Sequence, residues 1–392
     1  RWEDRVYLVY GNGEIRIVEL NEDLTGIVEQ SDRVLFHAPA EGMRLRCEGC
    51  RAYVKDGWIY LLFVEWPADT ETQTGIRREV CYRSRNLMGP YERKVILSDD
   101  GSLSGRGIAQ GVLFDDACGN WYAMMFQDSG AVGRVPFLMP AVWEEEWPVI
   151  GVNGKVPAQL EVPCVETVTG KIIQSDQFSH SENTLKKVWQ WNHAPDPAAW
   201  SFTERPGYLR LKNRSMAKNL FYARNTLTQR TRAPYSRFSV RLECDGMKDG
   251  DYAGLCVFLE KYGQIGVRQK KGRRSIVMQC RDGENAPYEL TRRGDLGALD
   301  EWYAVKEYEL PFSAGQVFLR IDFRYDSWGS EEETAVFSYS LDGEQYCVLG
   351  RELALVYSLS VFVGARIGIF SYNEEREDGG TADFKDFVAE FE

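Results

Sequence analysis

The residues with chemistry to offer crowd into a few short stretches of this chain. In "RLRCEGCRAYVKDGWIYLLFVEW", residues 44–66, a carboxyl group, Glu48, stands between the two thiols of Cys47-x-x-Cys50. A CxxC pair does redox chemistry when it opens a helix within a βαβ unit, because the helix N-terminus stabilises a thiolate. Here an apolar run of strand character follows instead. A structural zinc needs a second ligand pair. No other close cysteine pair exists, and His37, His180 and His193 are far apart. The residues alone leave open whether Glu48, a carboxyl just before a buried strand, has a chemical role, although partial burial there would favour its protonated form. On residue type alone, a surface Glu in a turn is the plain alternative.

The elements that must position Glu48 repeat along the first 155 residues. "RVYLVYGNGEIRIVEL" (5–20), "GWIYLLFVEWP" (57–67) and "NWYAMMFQDSGAVGR" (120–134) share one pattern, with Tyr7, Tyr60 and Tyr122 at intervals of 53 and 62 residues. Strand, turn, strand, then a polar loop with one large apolar anchor describes a propeller blade of four antiparallel strands, and the period is slightly long for one. An antiparallel sandwich with coincidental similarity is the competing reading. Residues 156–172, rich in Gly, Pro and Thr without a period, read as a linker. From residue 173 to 392 short alternating strands follow one another with almost no helical pattern, which predicts a two-sheet jelly-roll sandwich. In "VFLRIDFRY" the residues Val317, Leu319, Ile321 and Phe323 fall on one face. "SLDGEQY" predicts a hairpin turn at Asp342-Gly343, and "RQKKGRRS" (268–275) an exposed hairpin tip.

Composition narrows the partners. Lys+Arg 47 against Asp+Glu 59 leaves a net charge of −12, the wrong sign for phosphate contacts, so a nucleic-acid partner is excluded. Aromatic residues make up 13% of the chain, which suits β-rich folds and sugar-stacking surfaces. Nine scattered cysteines suggest free thiols in a reducing compartment, and a cytoplasmic location is expected. No apolar stretch reaches transmembrane length, so no membrane partner is expected, and "RWEDRVYLVYG" lacks a signal-peptide layout.

Residues 1–155 resemble the later blades of the five-bladed propeller of glycoside hydrolase family 43, through "EGCRAYVKDGWIYLLF", "VCYRSRNLMGPYE", "QGVLFDDACGNWYAMMFQDSGAVGR" and "PAVWEEEWPVIG". Residues 173–392 resemble the concanavalin-like sandwich that follows it in β-xylosidases and α-L-arabinofuranosidases, through "WQWNHAPDPAAWSFTERPGYLRL", "ARNTLTQRT", "GDYAGL" and "FSYSLDGEQY". The resemblance implies an all-β protein and an inverting exo-glycosidase that releases arabinofuranose or xylose from hemicellulose fragments. It implies that Glu48, in a motif similar to Glu-Gly-Pro-His-x-Tyr, is the general acid, with Cys50 at the Pro position. Arg134 matches an arginine that holds the sugar. Gln110 falls where many members carry a His that binds a central water or calcium; Gln offers no imidazole, so a structural calcium is left open. Trp66 and Phe36 are candidates to line the sugar pocket or to pack the core. The family's two aspartates have no match in residues 1–155, where Asp4, Glu41, Glu65 and Asp128 lie outside the motifs. They are expected on an N-terminal segment on the order of 100 residues long, a blade and a half, and this chain alone is expected to be inactive. The competing functional reading is a non-catalytic carbohydrate-binding protein.

Overall fold

In the computed structural model, which describes residues 1–68, 75–99, 107–162, 171–287, 289–290, 295–326, 332–358 and 363–391, the repeat becomes three antiparallel sheets. The first holds β1 (Val6–Asn12), β2 (Glu14–Leu20) and β3 (Arg33–His37). The second runs in chain order through β4 (Met43–Lys55), β5 (Trp58–Pro67), β6 (Arg78–Ser84) and β7 (Glu92–Leu97). The third does the same with β8 (Ala109–Asp115), β9 (Trp121–Ser129), β10 (Gly133–Glu144) and β11 (Trp147–Ile150). These meanders are propeller blades.

Strand period explains how the blades stack. Alternate side chains of a strand point to opposite faces, and β5 is apolar on both. Ile59, Leu61 and Phe63 join a core with Ile15 and Val80 from the first and second sheets. Tyr60 and Leu62 join another with Leu113, Ala123 and Met125 from the third. The near-continuous apolar run of β5 is therefore the signature of a blade with neighbours on both sides. The outer sheets have one packed face each. Opposite Val9 on β1, Leu8 is 49% and Tyr10 38% exposed; opposite Leu113, Met125 and Met139, Phe114, Met124 and Leu138 are 37–42% exposed.

The tyrosines of the repeat also locate the strands within the blades. Tyr60 and Tyr122 lie on the second strands of their sheets, whereas Tyr7 lies on the first strand of its own. Judged by these tyrosines, β1 corresponds to β5 and β9. The three strands of the first sheet then lack a counterpart of β4 and β8.

The chain divides into two units, one of residues Arg1–Asp128 and Arg134–Glu166 and one of Ser129–Gly133 and Thr167–Glu392. Residues 163–170, within the expected linker and including Cys164, lie outside the described residues.

The second unit is a sandwich of a seven-stranded and an eight-stranded sheet, with one core between them. The strand Gln316–Arg324 gives it Val317, Leu319, Ile321 and Phe323, each 0% exposed, while Leu255, Ile265 and Ile367 come from the other sheet. The basic tip joins the strands Gly263–Lys270 and Arg273–Asp282 as expected. Asp342-Gly343 does not form a two-residue hairpin. It sits in the longer loop between Thr334–Ser340 and Cys347–Val348, where the Asp342 carboxylate accepts from the Ser340 hydroxyl and from the Glu344 and Gln345 N–H groups at 2.8–2.9 Å. An Asx turn thus replaces the tight turn that the dipeptide suggests. The sequence reading also passed over a short helix, Leu296–Trp302, whose N-cap Asp295 accepts from the Ala298 N–H at 3.1 Å.

Candidate active site

Glu48 does not lie in a turn ahead of an inner strand. It lies within the 13-residue β4, directly opposite Val64, between two register shifts at Leu45/Glu48 and Glu48/Arg51. Bulges of this kind bend a strand and re-aim its side chains. Gly49 follows with φ +70°, a conformation costly for a residue with a Cβ. The pattern "CEGC" reads as a turn in sequence because glycine there answers to the bulge and not to a chain reversal. One carboxyl oxygen of Glu48 accepts from the Asn12 side-chain amide at 2.8 Å. This donor fixes the orientation of Glu48 and leaves its other oxygen for a ligand.

The residue after Glu48 lines an open groove of about 520 Å³ with Cys50, Gln110, Met124, Phe126 and Arg134. Gln110 and Arg134, 24 residues apart in sequence, thus meet on β8 and β10. Gln110 holds φ +60° at a bulge between Ala109 and Gly111. The Arg134 guanidinium lies 4.4 Å over the Phe126 ring, and its Nε is 3.3 Å from Asp128. Asp128 also accepts from Arg77 at 2.6 Å. A carboxylate between two guanidiniums holds both in place. Arg77 lies 5.3 Å over the Trp66 ring, Arg44 lies 4.5 Å from the same ring, and the indole N–H donates to the Gly75 carbonyl. Trp66 therefore connects to Arg134 through Arg77 and Asp128, with guanidiniums on its ring.

Phe36 goes elsewhere. It stacks on Tyr82 at 4.3 Å and touches the Phe63 and Tyr91 rings in the core between the first and second sheets. Its position is that of a packing residue. Two carboxylates close to the site are removed from water: Glu65 is 0% exposed and pairs with Arg78 at 2.6 Å and with Arg93, and Glu79 is 1% exposed. Among the described residues no three His, Cys, Asp or Glu side chains converge to hold a metal ion. Gln110 itself packs its amide against Gly49.

The thiols are inert by environment. Cys47 is buried with its Sγ 3.7 Å from the Tyr82 hydroxyl and 3.8 Å from Glu65. Burial pushes its pKa up to about 11 and that of Cys50 up to about 12. At neutral pH both are thiols and poor nucleophiles. A Cys47→Ser/Cys50→Ala variant is expected to keep the activity of the complete protein and to carry no stoichiometric zinc by elemental analysis. Loss of activity that added zinc restores would contradict this.

Sequence reasoning missed Asn12 and the Asp128–Arg77 bridge. Asn12 had a legible signal: "YGNGE" is an Asn-Gly turn between apolar runs, and it places Asn12 at the end of β1. The bridge joins residues 51 positions apart and has no local signal.

Comparison with known proteins agrees with this architecture. The profile described as glycosyl hydrolases family 43 matches residues 2–148, and that of the β-xylosidase C-terminal concanavalin A-like domain matches residues 175–390. A relative from Xylanibacter ruminicola is 29% identical over 367 residues, which cover 92% of this chain and 60% of that protein. A β-xylosidase from Formosa agariphila is 25% identical over 424 residues, covering 98% and 65%. The solved structure of a bifunctional GH43-CE protein from Bacteroides eggerthii superposes with a TM-score of 0.82 at 36% identity, covering all of this chain and 47% of that one. A GH43 enzyme engineered to display both endo-xylanase and exo-arabinofuranosidase activity gives 0.79 at 28% identity, covering 100% and 73%. The chain spans about half to two thirds of the length of most of these relatives. With both profiles matched in order, propeller strands first and sandwich second, the chain belongs to glycoside hydrolase family 43.

Proposed function

We propose that these residues form the larger part of an inverting exo-glycosidase that releases arabinofuranose or xylose from hemicellulose-derived oligosaccharides. Glu48 is its general acid, and Arg134 and Gln110 hold the sugar. The observation that carries the reading is the placement of Glu48 on a twice-bulged strand, oriented by Asn12, next to the groove where Gln110 and Arg134 meet. An acid at the rim of a groove lined by amide and guanidinium donors can protonate a glycosidic oxygen while sugar hydroxyls are held.

The base carboxylate comes, in this proposal, from a segment N-terminal to these residues. Three observations support that. Glu65 and Glu79 are sealed from water, and Asp128 spans two arginines, so none of the three is placed to activate a water molecule. The first sheet lacks the strand that corresponds to β4 and β8, which carry Glu48 and Gln110. The outer apolar faces of the first and third sheets suit further blades, since strand edges and apolar sheet faces are poor free surfaces. The eight described cysteines are all free, which supports a reducing compartment such as the cytoplasm. No helix among the described residues is long and apolar enough to cross a membrane.

The test is hydrolysis of nitrophenyl α-L-arabinofuranoside and β-D-xyloside by the complete protein, with the first-formed anomer read by NMR. Turnover with inversion is expected. Sugar binding without turnover would favour a carbohydrate-binding protein instead.

A further inference from the structure

We propose that Glu79 is a positioning residue for Glu48, acting through the backbone of Gln110. This rests on the reading of Glu48 as the acid. Glu48, Val64 and Glu79 form one cross-strand row, Glu48 opposite Val64 and Val64 opposite Glu79. Glu79 is 1% exposed, and its Oε2 accepts from the Gln110 N–H at 2.8 Å. That N–H needs a special partner because Gln110 is the bulged residue of β8, out of register with the ladder to β9. Gln110 also has φ +60°, an uncommon backbone region for a residue with a side chain. A buried amide without an acceptor is strongly disfavoured, so the Glu79 carboxyl is what makes this bulge tenable.

The bulge then acts on the catalytic strand. The Gln110 amide rests so close to Gly49 that a Cβ on Gly49 would lie 2.2 Å from Nε2. Gly49 is the residue after Glu48, inside the second bulge of β4. A second tie between the strands runs from the Leu113 N–H to the Tyr53 hydroxyl at 2.7 Å. Two bulges thus interlock, one carrying Glu48 and one fixed by Glu79. Among the described residues the titratable neighbours of Glu79 are Cys50, Tyr53 and Cys81, none of them a cation. Its acceptor function toward Gln110 is the one polar role the described contacts give it.

The test compares Glu79→Gln, which keeps a carbonyl acceptor at the same reach, with Glu79→Leu, which fills similar volume without one. Both are made in the complete protein beside Glu48→Gln. Glu79→Leu is expected to lower kcat at least about tenfold on a substrate with a poor leaving group while KM changes by less than about twofold, with a smaller loss on a nitrophenyl glycoside. Glu79→Gln is expected to restore kcat. Hydrogen exchange of the peptide spanning residues 107–115 supplies a readout independent of activity: it should quicken in Glu79→Leu and stay slow in Glu79→Gln. If Glu79→Leu does not fold, Glu79→Asp, which withdraws the acceptor by one methylene, should give an intermediate loss of the same kind. Unchanged kcat and exchange in Glu79→Leu, or equal losses on both substrates, would overturn the proposal. Full activity of Glu48→Gln would instead remove the assignment of the acid, and the positioning role with it.

Discussion

Glu48→Gln in the complete enzyme is expected to lower kcat about 10²–10⁴-fold on arabinosides or xylosides with poor leaving groups, the range that positioned general acids contribute. Glutamine nearly matches the shape of glutamate and still accepts the Asn12 amide hydrogen bond, so the groove should keep its form. What it cannot do is give a proton to the departing glycosidic oxygen. A sugar alcohol cannot leave as an alkoxide, so all of that help is lost; a nitrophenolate can leave unaided, so the loss on it should be much smaller. KM should move little, because the missing interaction belongs to the transition state. Steady-state kinetics on the two substrate classes checks this. Small, equal losses on both would contradict the role given to Glu48.

The second large effect concerns stability and pH. Burial pushes the Glu79 pKa from an ordinary 4.5 up to about 8, only partly offset by the Gln110 N–H. The folded protein therefore keeps this proton over a range in which the unfolded chain has released it. Because the folded state binds more protons there, stability falls as pH rises: the contribution is complete below about pH 4.5 and is lost by about pH 8. The slope approaches about 1.4 kcal/mol per pH unit, and the whole effect is of order 4–5 kcal/mol. Glu79→Gln has no proton to lose. Its denaturant-unfolding free energy minus that of the wild type should be small near pH 4.5 and grow steadily toward pH 8. The difference matters because carboxylates such as Asp176 and Asp383, held below their ordinary range by hydrogen-bonding partners despite burial, contribute pH dependence of the opposite sign and cancel in the comparison. Parallel curves for the two proteins would show that Glu79 is ionised in the native state.

Much of the fold was legible because its signals are local. The apolar run "WIYLLFV" announces a strand packed on both faces, and the alternation of Val317, Leu319, Ile321 and Phe323 a sheet facing a core. Period carries such information wherever burial decides the side-chain pattern. The turn at Asp342-Gly343 misled because an aspartate can satisfy a longer loop through its own side chain as well as a tight hairpin. The site was legible only in part. Glu48, Gln110 and Arg134 stand in distinctive motifs, and the structure brings Gln110, Arg134 and Gly49, the neighbour of Glu48, together on one groove. Phe36 and Trp66 carried no such context: Phe36 meets Tyr82 only where two sheets stack, and Trp66 meets Arg44 and Arg77 only through the pairing of neighbouring strands in its own sheet. Glu79 is the clearest case of a residue invisible to pattern. In "RREVCYRS" it looks like a polar member of a strand, and only the bulge 31 residues later gives it a partner.

The most direct measurement is turnover by the 392-residue chain with and without the proposed N-terminal segment supplied as a separate polypeptide. Inversion needs a base carboxylate roughly 6.5–9.5 Å from the acid, across the sugar ring, with room for the attacking water. If that base lies on the preceding segment, the chain alone should hydrolyse nitrophenyl arabinofuranoside or xyloside no faster than background, and addition of the segment should restore hydrolysis by covering the first sheet and supplying the base together. Full activity from the chain alone would contradict the proposed division of acid and base, and would send the search for the base to Glu41, Glu65 and Asp128.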